Sequence, residues 1–508
     1  MSTRSYQDAV EHLNSLQSNA ATLEAVRASG GRLSEFAIPE MLEYLDRIGY
    51  TPSQLNALNV IHITGTKGKG STSAFTESII RHSKPEWKTG QLRSIFTVMT
   101  SLRVSFRING VPISESDFAK YFFEIWDRLV ANQSPGKVPT TPPMPGYFRF
   151  ITLMAFHVFL ELKVDATILE VGVGGAYDST NIVPSPVVTG ITALGIDHVF
   201  VLGKTISEIA WQKGGIFKKG VPAITVPQPI DAMKVLESRA EELKASKLSV
   251  VPDNSELSAL KLGLAGSHQV QNAILAVELA RSFLEKQTGV AQDPVIPTTF
   301  KTGLVKTRWP GRCQTVVDPK RTGFTWYLDG AHTVESLECC MQWFVNPDVG
   351  VPPQKAAHSS TASTRILIFN CTSGRSGESF LGKMIQTMRL RLALHEREKD
   401  AVLFDHVIFC TNVTYADGHF KSDLTTKAIA DSDLTELKTQ QALASAWSSL
   451  VPSYPKSHIH VLPSIEHAIK EVENIRSTTN DHVQTLVTGS LHLVGGVIEV
   501  AGLSNVAL

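Results

Sequence analysis

The sequence predicts an α/β protein of two domains, each built around a mostly parallel β-sheet. Three observations support this prediction. Short apolar runs rich in β-branched residues alternate with helical patterns along the chain. The alternation stops at a proline-rich stretch, 293–299, and then starts again. The length of 508 residues leaves room for about two to four domains of ordinary size.

The first half of the chain shows four runs that are typical of buried strands. Each run is bounded by Gly, Pro or Asp, which favour turns. The predicted strands are 60–64, 166–171, 187–194 and 221–226. Helical patterns lie between and after them, at 71–81, 148–162, 206–212 and 269–284. This order indicates strands joined by helical crossovers, as in a parallel sheet.

The second half repeats the arrangement. Its predicted strands are 325–328, 365–369, 406–410 and one near 484–487, and its predicted helices are 334–344 and 377–394. The stretch 295–308, between the two halves, is predicted to be the connection between domains. We therefore expect a first domain at residues 1–300 and a second at residues 301–508.

Composition excludes several classes of protein. The chain has 48 Lys and Arg against 48 Asp and Glu, so it lacks the basic surplus of a nucleic-acid-binding protein. No apolar run reaches the ~18–20 residues that span a bilayer. Residues 1–19 read as a polar helix with two acids, Asp8 and Glu11, unlike a secretory signal or a transit peptide. The five cysteines are odd in number and form no Cys-x-x-Cys, which favours thiols in a reducing compartment. We expect a cytoplasmic protein.

The strongest chemical motif follows the first predicted strand and opens the first predicted helix. Glycines let successive N–H groups turn inward, and a helix N-terminus adds partial positive charge, so the motif predicts a phosphate-binding loop. Its spacing departs from the strict G-x-x-x-x-G-K-[ST] pattern, and a flexible Gly/Lys turn is the alternative. Within it, Lys69 would neutralise phosphate oxygens. The motif consists of Gly65, Thr66, Lys67, Gly68, Lys69, Gly70 and Ser71.

Three further motifs follow predicted strands, where ligands of open α/β sheets bind. Glu170 closes the second strand and suits Mg²⁺, although a helix cap or an ion pair would also explain it. Asp197 and His198 follow the third strand, and their alternatives are a turn aspartate and an ordinary half-buried histidine. Lys213 is by default a solvated lysine.

The last motif lies in the second half. Asp329 ends a strand and is followed by Gly330-Ala331-His332, while Arg312 offers five donors suited to phosphate. The alternatives are a helix N-cap for Asp329 and a linker arginine for Arg312. No Ser/His/Asp arrangement or cysteine nucleophile stands out in the sequence.

Together these motifs resemble the folylpolyglutamate synthase family of Mur-ligase-like, ATP-dependent amide ligases, in its eukaryotic form. Ala176 stands where bacterial relatives usually have arginine. The resemblance implies an N-terminal P-loop ATPase domain and a smaller Rossmann-like C-terminal domain, with the active site in the cleft between them. The stretches that carry it are 64–71 (TGTKGKGS), 169–181 (LEVGVGGAYDSTN), 195–218 (GIDHVFVLGKTISEIAWQKGGIFK), 309–312 (WPGR), 328–336 (LDGAHTVES) and 486–495.

The resemblance implies roles for the matching residues of the first domain. The phosphate loop would hold the ATP phosphates, with Lys69 stabilising the transferred γ-phosphoryl group. Glu170, His198 and Ser101 would ligate Mg²⁺, as one ion or two. Lys213 would match the lysine that is carbamylated in this family, acting as a negative metal-bridging group.

The remaining implied roles concern ATP and the acyl phosphate. Asn272 would face the nucleotide, and Arg312 and Asp329 would reach ATP across the domain cleft. His332 would lie near the acyl-phosphate chemistry. The implied cofactors are ATP and Mg²⁺, with a monovalent cation such as K⁺ as a further candidate.

The implied reaction adds L-glutamate to the γ-carboxyl of tetrahydrofolate or its polyglutamates through an acyl phosphate, in one-carbon metabolism. Phosphorylation makes sense because an unactivated carboxylate has no good leaving group. The expected partners are these small molecules, with no nucleic acid and no integral membrane association. The resemblance also suggests a monomer, and a mitochondrial form through an alternative start.

One stretch departs from the family pattern. Residues 91–110 contain Thr100-Ser101 without the Pro-His-Leu that usually follows the loop serine. Two alternatives therefore stay open beside the leading hypothesis. One is a dihydrofolate synthase acting on dihydropteroate. The other is a nucleotide-binding homologue that is inactive because its metal ligation is incomplete.

Overall fold

The structure is a computed structural model, and the chain divides into two compact units. Apart from 264–268, the described residues up to Arg308 form the first unit. The second unit contains Leu264–His268 and the described residues from Trp309 onward. The structure describes residues 4–17, 36–92, 106–133, 141–291, 293, 295–347, 349–351, 363–371, 376–395, 402–417, 436–479 and 481–507.

The first unit is built on an eight-stranded sheet. Its strands are β1 Val60–Thr64, β2 Thr89–Leu92, β3 Phe106–Ile108, β4 Val111–Pro112, β5 Ala166–Glu170, β6 Val188–Ile191, β7 Pro222–Thr225 and β8 Lys247–Val250. Its helices are α1 Tyr6–Ser15, α2 Ala37–Arg47, α3 Lys69–Ser83, α4 Glu115–Ala131, α5 Tyr147–Glu161, α6 Val199–Leu202, α7 Ile206–Gly214, α8 Ile230–Glu242, α9 Ser255–Ala259, α10 His268–Thr288 and α11 Thr298–Lys306, the first residue of α10 belonging to the second unit.

The strand order in this sheet is β4-β3-β2-β5-β1-β6-β7-β8. Neighbouring strands are parallel from β2 to β8, while β3 and β4 form an antiparallel extension at one edge. All five residues of β1 and of β5 are buried. Strands covered on both faces need continuous apolar or β-branched runs, which is why the sequence pattern predicted both correctly.

The second unit contains a six-stranded sheet in the order β13-β12-β11-β14-β10-β9, antiparallel at β9 and parallel elsewhere. Its strands are β9 Gln314–Val317, β10 Phe324–Leu328, β11 Ser363–Phe369, β12 His406–Cys410, β13 Ile459–Leu462 and β14 His482–Thr488. Its helices are α12 Val334–Phe344, α13 Gly377–Leu394, α14 Lys438–Leu450, α15 Ile465–Thr479, α16 Leu491–Val500 and α17 Ser504–Ala507.

Two apolar clusters cover the faces of this second sheet. Alternate strand residues point to opposite faces, so Tyr327 joins one cluster and Trp326 the other. The first cluster packs against α12, α13 and α14, and the second against α15 and α16. The predicted α/β fold with two mostly parallel sheets is therefore confirmed.

The stretch 295–308, which the sequence predicts to be the connection between domains, contains a helix that the sequence pattern did not predict. Residues Thr298–Lys306 form α11, which packs on α3, where Ser78 Oγ donates to the Gly303 carbonyl at 2.8 Å. A Cβ on Gly303 would lie 2.8 Å from the Ile79 Cα. Glycine, a poor helix former in isolation, is required here because the two helices approach so closely.

Two expectations about compartment can be compared with the structure. No helix among the described residues is long and apolar enough to cross a membrane. All five cysteines lie in the described part of the chain, and none of them forms a disulfide.

Candidate functional site

Three strands of the first sheet end side by side. In the register, Ile63 of β1 is level with Glu170 of β5, and Thr64 is level with Ile191 of β6. The loops that follow β1, β5 and β6 therefore leave the same edge of the sheet. The predicted phosphate loop, Glu170, and the Asp197-His198 pair all lie on or beside these loops.

The loop after β1 turns directly into α3. Gly65 and Gly68 have φ values of 149° and 91°, which L side chains rarely adopt. The amides of Thr66 and Lys67 both donate to the Ala193 carbonyl at 3.0 Å. The amides oriented for an anion are thus those of the first turn of α3, which have no acceptor within the helix.

Asn272 lies against the start of α3. A Cβ on Gly68 would overlap the Asn272 Oδ1 atom, so only glycine leaves room for the amide side chain. Asn272 Nδ2 donates to Gln269 Oε1 at 2.9 Å, one turn earlier on α10. The structure therefore brings Asn272, predicted to face the nucleotide, into contact with the phosphate loop.

Two lysines meet at the carbonyl of Gly65. Lys69 Nζ and Lys213 Nζ each donate to this oxygen at 2.8 Å. Lys213 is 3% exposed, so the default interpretation of a solvated lysine is wrong. Burial, and next the positive charge of Lys69, lowers the pKa of Lys213 well below its usual value. Burial also lowers the pKa of Lys69, while the charges of Glu170 and Asp197 oppose that shift.

Lys213 reaches this position because the end of α7 packs on the loop after β5. Ala176 N donates to the Gln212 carbonyl at 2.8 Å. A Cβ on Gly175 would lie 3.0 Å from the Lys213 carbonyl, and one on Gly215 would overlap Ala176. Small residues on both sides let the two backbones touch.

Glu170 is buried at the end of β5, with 2% exposure. Its negative charge raises the pKa of Lys69, which shows that the two groups interact. His198, in contrast, is exposed and not half-buried. It has φ 49° at the start of α6, and its amide donates to Asp197 Oδ1 at 2.9 Å.

Sequence reasoning missed Asp178, which organises the loop after Glu170. Its Oδ2 accepts the amides of Gly172 at 3.0 Å and Val173 at 3.3 Å. Its Oδ1 accepts the amide and the hydroxyl of Thr180 at 3.0 and 2.6 Å. An Asp two residues before Thr in a glycine-rich stretch is typical of such a turn, and this signal was available in the sequence.

The side chains at this edge of the sheet suit Mg²⁺, which takes part of its ligands from water and phosphate. They do not suit a metal whose ligands all come from the protein. The described residues contain no group of three or more His, Cys, Asp or Glu side chains placed to hold an ion. Mg²⁺ commonly takes one or two carboxylates and completes its shell with water and phosphate. Glu170, buried beside Lys69 at the phosphate loop, fits that pattern. Ser101 lies outside the described residues.

In the second unit, the predicted residues surround the end of β10. Asp329 Oδ2 accepts the amide of Cys313 at 2.7 Å, and its Oδ1 accepts the amide of Ala331 at 2.9 Å. The N-cap of α12 is Thr333, which forms a capping box with Ser336. The alternative that Asp329 is the helix N-cap is therefore wrong.

Arg312 and His332 lie on the turns beside Asp329. Arg312 Nη1 donates to the Gly311 carbonyl at 3.1 Å, and His332 Nδ1 lies 2.8 Å from the Gly330 carbonyl. Burial lowers the pKa of His268, and the charge of Asp329 opposes that shift, so these two groups interact electrostatically. The end of β10 in the second unit thus carries a carboxylate, with a guanidinium and an imidazole on the adjoining turns.

Known proteins were compared with the chain. No family model matches it. A folylpolyglutamate synthase of Saccharomyces cerevisiae (strain FostersO) is 42% identical over 508 residues, covering 98% of this chain and 87% of the relative. A Mycobacterium tuberculosis folylpolyglutamate synthase complexed with ADP superposes with TM-score 0.67 and 20% identity, covering 95% of this chain and 98% of that one. An FPGS–AMPPCP–folate complex superposes with TM-score 0.61 and 21% identity, covering 97% and 99%. The structural likeness concerns the fold alone.

Proposed function

The chain belongs to the folylpolyglutamate synthase family, and from this premise we propose that it adds L-glutamate to the γ-carboxyl of tetrahydrofolate and its polyglutamates. The reaction consumes ATP, passes through an acyl phosphate and yields ADP and phosphate. It is an enzyme of the amide-forming ligase class.

One observation supports the chemistry most directly. A buried carboxylate, Glu170, and two lysines, Lys69 and Lys213, lie around the turn between β1 and α3. Phosphoryl transfer needs little covalent chemistry from the protein and much positioned charge. A cationic group beside a glycine-rich helix start, with a carboxylate suited to a metal next to it, supplies that positioned charge.

In the proposal, the first-turn amides of α3 bind the ATP phosphates and Lys69 moves from the Gly65 carbonyl to the γ-phosphoryl oxygens. Glu170 and His198 would hold Mg²⁺, with Ser101 as a third candidate ligand. Mg²⁺, when bound, would neutralise charge that develops on the phosphates. Asn272 would contact the nucleotide from α10.

The bond changes follow from ordinary acyl chemistry. A γ-carboxylate oxygen of the folate attacks the γ-phosphorus of ATP, and ADP leaves with the electron pair of the broken P–O bond. The amine of glutamate then attacks the acyl carbon, inorganic phosphate leaves, and the amine loses a proton. Water must be excluded, because it would hydrolyse the acyl phosphate.

The roles of the second-unit residues and of Lys213 are further parts of this proposal. Arg312 and Asp329 would serve ATP, and His332 the acyl-phosphate chemistry. Lys213 would be carbamylated, a modification that requires a neutral amine, and the burial that lowers the pKa of Lys213 favours that form. K⁺ is a candidate monovalent cofactor.

We also propose a monomer in the cytoplasm, with a mitochondrial form from an alternative start. The cysteines form no disulfide, which supports a reducing compartment. Folate polyglutamylation in one-carbon metabolism would be the resulting cellular role.

The test is ADP release from ATP, Mg²⁺, L-glutamate and tetrahydrofolate, with mass spectrometry of the folate product. We expect glutamate-dependent ADP release and a product longer by one glutamyl residue. Product from dihydropteroate and none from tetrahydrofolate would identify a dihydrofolate synthase instead. ADP binding without glutamate-dependent turnover, in folded protein, would identify an inactive homologue. Lys69→Ala provides the matched inactive control.

A further inference from the structure

Asp178 is buried, with 7% exposure, and none of the roles proposed for the other site residues involves it. Both of its oxygens accept hydrogen bonds, and all four donors are N–H or O–H groups of Gly172, Val173 and Thr180. A carboxylate is the side chain that accepts on both oxygens without donating. This set of partners is therefore specific for an acid at this position.

Asp178 provides one of several attachments that hold the loop after Glu170. It binds the amides at positions 172 and 173, and Thr64 Oγ1 donates to the Gly174 carbonyl at 2.6 Å. Ala176 N then donates to the Gln212 carbonyl, next to Lys213. The loop thus connects the residue after Glu170 to the end of the helix that carries Lys213.

Thr180 extends this arrangement into the sheet. The His62 Nε2 atom of β1 lies 2.8 Å from Thr180 Oγ1. Because the single hydroxyl proton of Thr180 goes to Asp178, His62 must donate from Nε2. Burial lowers the pKa of His62 to about 3, so the imidazole is neutral and this tautomer is available to it. The hydrogen-bond series His62–Thr180–Asp178 therefore begins on β1, an interior strand of the sheet.

The charge of Asp178 also acts on both lysines. It raises the pKa of Lys69 and that of Lys213, opposing the effect of burial on each. Asp178 is therefore connected to the predicted phosphoryl-transfer groups in two ways, by hydrogen bonds through the loop and by charge.

We propose that Asp178 is a positioning residue for phosphoryl transfer, acting through the 171–176 loop on Glu170 and Lys213. Thr180 and His62 hold the Asp178 carboxylate in place. This inference rests on the proposed function. A displacement of about 1 Å can cost about 100-fold in rate, so we expect the rate to be sensitive to the loss of the carboxylate that binds the start of this loop.

The first test is Asp178→Asn, which keeps the shape but turns an NH₂ group toward N–H donors. We expect kcat to fall about 100-fold and the Mg²⁺ concentration for half-maximal rate to rise, with KM for tetrahydrofolate unchanged. Mg²⁺-dependent ADP affinity, measured by calorimetry without turnover, should fall in parallel. Unchanged kcat and unchanged Mg²⁺ dependence would overturn the proposal, as would a lowered Tm with normal kinetics.

Thr180 supplies the matched pair, and it decides the question if Asp178→Asn does not fold. Thr180→Ser keeps the hydroxyl and should behave like the wild type. Thr180→Val keeps the shape and the backbone amide bond to Asp178 but removes the hydroxyl bonds to Asp178 and His62, and should lower kcat about tenfold, a positioning loss smaller than a full misplacement. Equal kinetics for the two variants would overturn the proposal.

Failure of the proposed function can be told apart from failure of this inference. If wild-type protein shows no glutamate-dependent turnover, the function is wrong. The calorimetric comparison of wild type, Thr180→Ser and Thr180→Val still decides the positioning role, since it needs only ADP and Mg²⁺. Loss of Mg²⁺-dependent ADP affinity in Thr180→Val alone supports the role, and equal affinity in all three overturns it.

Discussion

The Nζ atoms of Lys69 and Lys213 share one acceptor, the Gly65 carbonyl, each at 2.8 Å. Two ammonium groups so close would repel each other in a partly dry site. Burial lowers the pKa of both lysines, but the charge of Lys69 lowers the pKa of Lys213 further, while Glu170 and Asp197 oppose the shift at Lys69, so Lys213 is the amine that more readily loses its proton. The two lysines are therefore chemically different, although the sequence shows two identical residues.

Lys213→Arg tests this difference. Arginine cannot deprotonate at ordinary pH, so a second permanent charge would be buried beside Lys69. We expect a lower Tm than in Lys213→Met, which keeps an apolar stem without the charge, and both variants should lose turnover. Thermal unfolding followed by circular dichroism checks the order. A higher Tm for Lys213→Arg than for Lys213→Met would contradict this expectation. Lys219→Arg, at an exposed site, is the control.

Lys69→Ala should separate catalysis from folding. Lys69 is half-buried at the start of α3, and its amine donates to the Gly65 carbonyl. Loss of a positioned donor to a developing negative charge typically costs about 10²–10³-fold in kcat. We expect that loss with a nearly unchanged Tm, whereas Lys84→Ala, after the end of the same helix, should leave kcat unaltered. A wild-type rate in Lys69→Ala would refute the phosphate-loop assignment.

Gly68→Ala should weaken nucleotide binding for two reasons that can be separated. The φ of 91° strains any L residue by about 1–3 kcal/mol, and the new methyl group would overlap Asn272 Oδ1. Adding Asn272→Ala removes the overlap but not the strain. A double-mutant cycle on ADP affinity should therefore show partial rescue. Strict additivity of the two single effects would show that the two residues do not interact.

Asp329→Asn and Thr333→Ala should have different effects. Asp329 accepts two buried amides, and loss of one acceptor leaves a buried donor unsatisfied at a cost of about 1–3 kcal/mol. Thr333 caps α12, so Thr333→Ala should lower stability by about 1 kcal/mol with normal KM for ATP. Urea unfolding and ATP titrations check both. If Asp329→Asn also leaves ATP use intact, the predicted nucleotide role of Asp329 is wrong.

Stability should fall with acidification below about pH 6.5, the ordinary pKa of histidine. Burial, and then His458 and His460, lowers the pKa of His406 to about 4, while the charges of Asp405 and Glu471 oppose the shift. The unfolded chain then binds a proton that the folded protein does not, so acid favours unfolding between about pH 6.5 and pH 4. Buried His62, with its pKa lowered to about 3, adds to the same trend.

His406→Gln should flatten this pH dependence. The urea midpoint at pH 7.5 and at pH 5 gives the comparison, with exposed His12→Gln as the control that should change nothing. A variant with the same slope as the wild type would exclude His406 as a source of acid sensitivity.

The residue pattern was enough to predict the strands with both faces covered, such as β1 and β5, and the glycine loop between β1 and α3. Local physics suffices there, because a strand covered on both faces is mostly apolar or β-branched, and the φ values of 149° and 91° at Gly65 and Gly68 favour glycine. It also carried the motifs that resemble the family. The sequence pattern did not predict helix α11, because its Gly303 is explained only by the close approach of the α3 backbone.

The protonation preference of a site side chain such as Lys213 follows from the tertiary structure and not from the local sequence. Burial and the charge of Lys69 lower the pKa of Lys213, and the Gly65 carbonyl that Lys213 contacts lies 148 residues away in the sequence. This property does not exist in an isolated segment, because the fold brings together groups that are far apart in the chain. Sequence spacing identifies the residue types, and packing determines their charge and their orientation.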